Sequence, residues 1–298
     1  MRRSGAGPPA ELRWAYNTNG FANHRLPDVL AVLADLGYTG VALTLDHHHL
    51  DPFAPDVGLR VAAVRRQLSA AGLAVVVETG ARYLLDPWRK HFPSLVSKDN
   101  GPRLRLLRRA VDIAADLGAE AVSFWSGVDC DGDLPAAWRR LVDGVREISA
   151  YAADRGVRLG LEPEPGMVVQ DLDGFAAVRR EAGEPEALGL TLDIGHCRCV
   201  ESRTVVDCVR WAAPLLVNVQ IDDMVRGVHE HLEFGSGEID FPPVLSALAE
   251  CGYLGLVAVE LPRHSHAAPQ TARNSLAFLR SAAPQPDIAV PRVIERSA

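Results

Sequence analysis

The chain has 298 residues, enough for one large domain or two small ones, and 48% of them are hydrophobic, enough for a sizeable core. Lys and Arg total 31 against 38 Asp and Glu, and the net charge of −7 excludes a general electrostatic attraction to nucleic acid. No apolar run approaches the roughly 20 residues that span a bilayer, and the 5 cysteines, an odd number without regular spacing, argue against a disulfide-stapled secreted protein.

A reducing cytoplasm is therefore the expected compartment. Residues 1–13 carry arginines but no apolar stretch, so they read as a flexible leader and not as a signal peptide. WAYNTNGF (14–21) reads as a first strand running into a polar loop. Residues 27–36 have apolar positions at helical spacing and stop at Gly37. GVALTL (40–45) is a second strand, followed by the run His47, His48 and His49. A helix over 57–71 stops at Gly72, and LAVVVE (73–78) is a third strand. The long loop after it, TGARYLLDPWRKHFPSL, gathers Arg82, Arg89, Lys90 and His91 beside Tyr83 and Trp88. A loop of this length reads as a lid or binding loop whose cations could hold a phosphate or carboxylate on a substrate, or as an insertion packed at a subunit interface.

A helix over 103–117, a strand over 121–125 and a long helix over 134–155 continue the alternation. Strands over 157–162, 189–193, 215–221 and 255–260 follow, each succeeded by a helix, over 171–181, 204–212, 242–249 and 269–281. Alternating βα units of this number and size predict an α/β fold, a single (β/α)8 barrel over 14–281. A doubly wound open sheet is the alternative, but the Gly-rich phosphate fingerprint expected after its first strand is missing. Residues 282–298 read as a mobile tail or an oligomer arm.

The last four strands end in polar side chains: Glu162, Asp193, Gln220 and Glu260. A carboxylate at the end of an apolar strand is costly inside a core but natural at the mouth of a parallel barrel, where active sites are built. Three carboxylates and an amide oxygen form a hard-oxygen set suited to a divalent cation: Mn2+ first, with Mg2+, Co2+ or Zn2+ as alternatives. Without a cation, such neighbours would repel one another and take up protons. With one, a substrate's adjacent hydroxyl and carbonyl oxygens could complete the coordination. The metal would stabilise an enediolate while Glu162 and Glu260 moved a proton on and off carbon. Glu78 and Trp125, at the ends of the third and fourth strands, would line the pocket. Glu164, Arg82, His196, His229 and His231 are further substrate-contact candidates, the last two also as a second metal pair. For each residue alone a helix cap, an ion pair or a solvated loop is the plainer explanation; the register of four successive strand ends favours a site.

At these residues the sequence resembles the xylose-isomerase-like TIM-barrel superfamily of sugar and sugar-phosphate isomerases and epimerases, over residues 14–280. The resemblance rests on RLGLEPEPG (158–166), LDIGH (192–196), VQIDDMVRG (219–227), GSGEIDF (235–241) and AVEL (258–261). It implies that Glu162, Asp193 and Glu260 fall on the family's metal carboxylates and His196 on its substrate-contacting histidine. It also places Arg226 on an arginine that binds substrate oxygen in the ketose 3-epimerase branch. Many epimerases have histidine where this chain has Gln220. Glutamine there is reminiscent of inosose and 3-dehydroshikimate dehydratases, so a metal-dependent lyase is the competing reading. HEHLEFGSG resembles a loop of the endonuclease IV branch, but the chain is acidic and DNA repair is disfavoured. A non-catalytic metabolite-binding barrel would have no need of two opposed glutamates. The expected partner is a small polyol or ketose, phosphorylated or not, with no nucleic acid and no membrane; a homo-oligomer remains open.

Overall fold

The computed structural model describes residues 11–284. Its strands are β1 (Arg13–Asn17), β2 (Gly40–Thr44), β3 (Ala74–Glu78), β4 (Val122–Trp125), β5 (Leu159–Glu162), β6 (Leu188–Asp193), β7 (Leu216–Ile221), the short pair β8 (Asp223–Val225) and β9 (Val228–Leu232), and β10 (Leu256–Val259). The helices are α1 (Leu26–Leu36), α2 (Val57–Ala71), α3 (Gly101–Leu117), α4 (Leu134–Asp154), α5 (Leu172–Glu181), α6 (Ile194–Val200), α7 (Val205–Ala212), α8 (Phe241–Glu250) and α9 (Ala268–Ala282). Eight strands close a parallel barrel in the order β1-β10-β7-β6-β5-β4-β3-β2, while β8 and β9 form a separate antiparallel hairpin. The expected (β/α)8 barrel is observed.

Each barrel strand is short, apolar and bounded by turns, so both faces are buried and the side chains divide between two cores. Ala15, Ala42, Val76, Ala121, Val217, Leu256 and Ala258 fill the barrel interior. Small side chains are required there because strands approach closely: a Cβ on Gly40 would sit 2.5 Å from a Leu256 methyl. The larger core lies between barrel and helices, where Leu33, Val64, Leu107, Leu141, Phe175, Val209, Leu245 and Leu276 from successive helices meet the outer strand faces. Each fully buried Leu or Phe of this kind contributes roughly 1.5–3 kcal/mol. The helices α1 and α2 stop where Gly37 (φ 91°) and Gly72 (φ 65°) take the left-handed conformation predicted for their caps.

Three local features depart from the expectation. The polar loop that the first strand runs into is a 3-10 helix over Thr18–Phe21, started where the Asn17 side chain accepts a hydrogen bond from the Asn19 amide. The helix α6 follows directly on β6, with Asp193 as its N-cap. The hairpin β8–β9 occupies what reads as loop between the seventh barrel strand and its helix. Of the leader, only residues 11–13 are described and Arg13 already belongs to β1; the tail beyond residue 284 lies outside the described residues. Among the described residues no helix is long and apolar enough to cross a membrane, and all five cysteines are free.

Candidate active site

Parallel strands deliver their C-terminal residues to one end of the barrel. A cavity of about 650 Å³ opens there, lined among others by Glu78, Glu162, Glu164, Gln220 and Glu260, the histidines His196, His229 and His231, Trp125, and the cations Arg82, Lys90 and Arg263. Eleven of the twelve residues singled out from the sequence as site or substrate contacts, counting Asp193 beside the cavity, therefore gather at one mouth. The structure does not bring the twelfth, Arg226, to it. Gly227 (φ 74°) closes the hairpin turn and leaves Arg226 exposed, its guanidinium donating to the Glu201 carbonyl and its amide to Glu238 at 3.2 Å. The run 47–49 also stays out: His49 is turned to the His24 carbonyl at 3.2 Å, and His47 sits near Asp51. Arg89 leaves the cavity as well, paired with Asp86 at 2.9 Å.

Desolvation governs the electrostatics. Burial, with Glu260 nearby, raises the Glu78 and Glu162 carboxyls well above their usual range; burial and Asp193 do the same to Asp222. Glu260 is raised by burial, and Glu164 is carried up to about 8 by burial and the Glu260 charge. Amides hold two of these groups in place: Asn19 Nδ2 donates to Glu260 at 2.7 Å, and Asn218 Nδ2 to Glu78 at 3.0 Å. Gln220 bridges Asn17 and Glu162, donating to Glu162 Oε2 at 3.3 Å.

The histidines have assigned states. His196 Nδ1 lies 3.0 Å from the Pro163 carbonyl, which can only accept, so Nδ1 carries the proton. Burial keeps His196 neutral, with its ring lowered to about 4. Its bare Nε2 then accepts from His229 Nε2 at 3.1 Å. Burial alone would lower His231 too, but the Asp222 carboxylate bonded to its Nδ1 carries it up to about 10, leaving an imidazolium.

Glu162, Asp193 and His196 place ligand atoms within 4.8 Å of one another, as do Asp193, Asp222 and His231, and His196, His229 and His231. Asp193 Oδ2 and Asp222 Oδ1 are buried without a hydrogen-bond partner. A buried carboxylate oxygen left unpaired is costly, and carboxylates crowded with imidazoles form a donor set that a divalent cation would satisfy. The residues present therefore fit such a group. Glu260 does not enter any of these tight groups.

Asp222, which follows Gln220 at the end of the seventh strand as a metal-competent side chain, and Asp223, to which the sequence assigns no role, both shape the turns around the site. A Cβ on Gly195 would lie 2.0 Å from Asp222 Oδ1, which is why LDIGH needs its glycine. Asp223 accepts from the amides of Gly235 and Gly237 at 2.9 Å and of Ile239 at 3.1 Å, which shapes GSGEID. Arg103, on α3, is buried beneath the cavity wall. It donates to the carbonyls of Thr79 (2.8 Å), Pro93 (3.1 Å) and His91 (3.3 Å), and its guanidinium carbon lies 4.3 Å from the Trp125 ring centroid. In sequence it is one more arginine on an amphipathic helix.

Fold and site together define a barrel whose acidic mouth is built for a small polar ligand. The chain belongs to the family described as xylose isomerase-like TIM barrel, whose model matches residues 30–282. It is 26% identical over 198 residues to L-ribulose-5-phosphate 3-epimerase UlaE of Shigella flexneri, covering 62% of this chain and 66% of that protein. It is 28% identical over 269 residues to 3-dehydroshikimate dehydratase of Pseudomonas aeruginosa, covering 86% of this chain but 39% of that one. The chain thus spans less than two thirds of the length of each. The crystal structure of D-allulose 3-epimerase from Methylomonas sp. superimposes with a TM-score of 0.72 at 19% identity, covering 92% of this chain and 99% of that one; this likeness shows the fold.

Proposed function

We propose that the protein is a divalent-metal-dependent isomerase or epimerase of a sugar, cyclitol or sugar phosphate. The observation that carries this reading is the pair Glu162 and Glu260, two carboxyls raised by burial that line one small-molecule-sized cavity from the ends of β5 and β10. Glu162, Asp193 and His196, with Gln220 beside them, would hold the cation, and Mn2+ is the first choice, which when bound supplies Lewis acidity to the charge developing on two adjacent substrate oxygens. One glutamate takes the proton from the carbon next to the carbonyl. The other returns a proton to the opposite face or to the neighbouring carbon. Asn19 fixes the Glu260 carboxylate for this transfer, and Trp125 offers a flat wall to the apolar face of a ring.

A dehydratase is the second reading. Two observations favour it: Gln220 is a neutral amide on the seventh strand, and Glu164, held up to about 8, keeps a proton that a departing hydroxyl would need. The extent of similarity to the dehydratase relative, over 86% of this chain, supports it too.

Proton exchange at carbon tests both. The metal-loaded protein is incubated in D2O with a panel of ketoses, inososes, 3-dehydroshikimate and phosphorylated ketoses, and followed by NMR. Deuterium next to the carbonyl with an isomeric product is the expected result. An unsaturated product with loss of water replaces isomerase by dehydratase, and no exchange with any of them overturns both.

A further inference from the structure

The carboxylates and the cations of the cavity come from different places. The acids stand on strand ends, whereas Arg82 and Lys90 come from the loop after β3 and Arg263 from the loop after β10. Arg263 is already paired with Glu230. Arg82 and Lys90 have no ion-pair partner among the described residues; Arg82 donates once, to the Asn19 carbonyl at 3.1 Å. Arg89 of the same loop behaves differently, being paired with Asp86.

The two unpaired cations are also held together by the fold. The His91 amide donates to the Arg82 carbonyl at 2.6 Å, pinching the loop so that Arg82 and Lys90 flank its neck. His91 donates its Nδ1–H to the Gly80 carbonyl at 2.6 Å and sets its ring edge-on to Trp125, centroids 5.3 Å apart. Both ends of the neck take left-handed backbone at residues with side chains, Ala81 (φ 56°) and His91 (φ 62°). Such conformations persist only where the surroundings over-determine them. Arg103 does so from below, through the Thr79, His91 and Pro93 carbonyls. Two like charges at one rim repel unless an anion lies between them.

We infer that Arg82 and Lys90 form an oxyanion subsite at the rim of the cavity, and that the substrate is a polyol or cyclic polyol ketone carrying a phosphate or carboxylate remote from its reacting carbon. This deepens the function proposed above and rests on it for the reacting end. Arg82 offers a planar fork to two oxygens of the anion and Lys90 a mobile point charge. The plainer role, balancing the acids on the floor, would leave the rim indifferent to a ligand's charge.

Three probes share a three-carbon frame: glycerol, glycerate and glycerol 3-phosphate. Their dissociation constants are read by titration calorimetry or ligand-observed NMR, with Mn2+ and with EDTA, for the wild type and for the double variant R82M K90M. At least a tenfold preference for one anionic probe over glycerol, with and without metal and lost in the double variant, is expected; the tighter probe names phosphate or carboxylate. Equal binding of all three probes overturns the subsite. So does a preference that survives in the double variant or appears only with Mn2+, because the anion then sits elsewhere or on the metal. Should the double variant not fold, K90M, a change at an exposed rim residue, is read the same way. The readout is binding, so it stands or falls separately from proton exchange.

Discussion

The side chains of Glu260 and His91 are each fixed by one hydrogen bond, yet their substitution should be felt in different observables. Glu260→Gln keeps an oxygen for the Asn19 amide at 2.7 Å but removes the proposed base. Turnover should fall about 10²–10⁴-fold, while the thermal melt moves by no more than about 0.5 kcal/mol. Retained turnover removes Glu260 from the chemistry. His91 is kept neutral by burial, its ring lowered from 6.5 to about 4. The unfolded chain binds a proton below 6.5 that the folded one refuses until about 4, so the stability this group contributes is complete above 6.5 and shrinks as pH falls. Between pH 7 and pH 4.5 the wild type should lose about 2 kcal/mol more than His91→Gln in denaturant titrations. Parallel losses would mean that the imidazole is not sequestered.

The hairpin β8–β9 carries His229 and His231 to the cavity, and Asp223 at its base ties it to the turn before α8. A Cβ on Gly237 would lie 2.3 Å from Asp223 Oδ1 and 2.6 Å from the Met224 amide nitrogen. Gly237→Ala should therefore cost about 1–3 kcal/mol in unfolding free energy and weaken cation binding through displaced histidines; a neutral effect on both would detach the turn from the site. The hairpin was illegible in the sequence because its strands are three and five residues long, the second half-exposed with two histidines, and neither shows the alternation that marks a strand. The helix α6 was hidden for a related reason: at seven residues it has no room for a periodic pattern, and its N-cap is the carboxylate that reads as a strand end. The barrel strands and long helices were legible because burial on both faces or on one stripe writes itself into composition and period. The strand-end acids were legible by their displacement from an apolar run. Arg103 was not, since its partners are carbonyls of a distant loop and carry no side-chain signature.

Across the molecule, the mouth stores protons. Glu78 and Glu162 are both held well above the ordinary carboxyl range, chiefly by burial. A cation entering among them should expel protons, so at pH 7 titration with Mn2+ in buffers of different ionisation enthalpy should register proton release and a gain in thermal stability. Binding without release would mean that the metal sits away from these acids. From Arg103 the loop that rims this mouth is held by contacts of one kind, to the main-chain carbonyls of Thr79, His91 and Pro93. A clasp on peptide oxygens is blind to which residues the loop displays. Residues such as Arg82 and Lys90 can thus be exchanged by mutation while the loop's posture persists, which leaves ligand preference free to drift on a scaffold that does not.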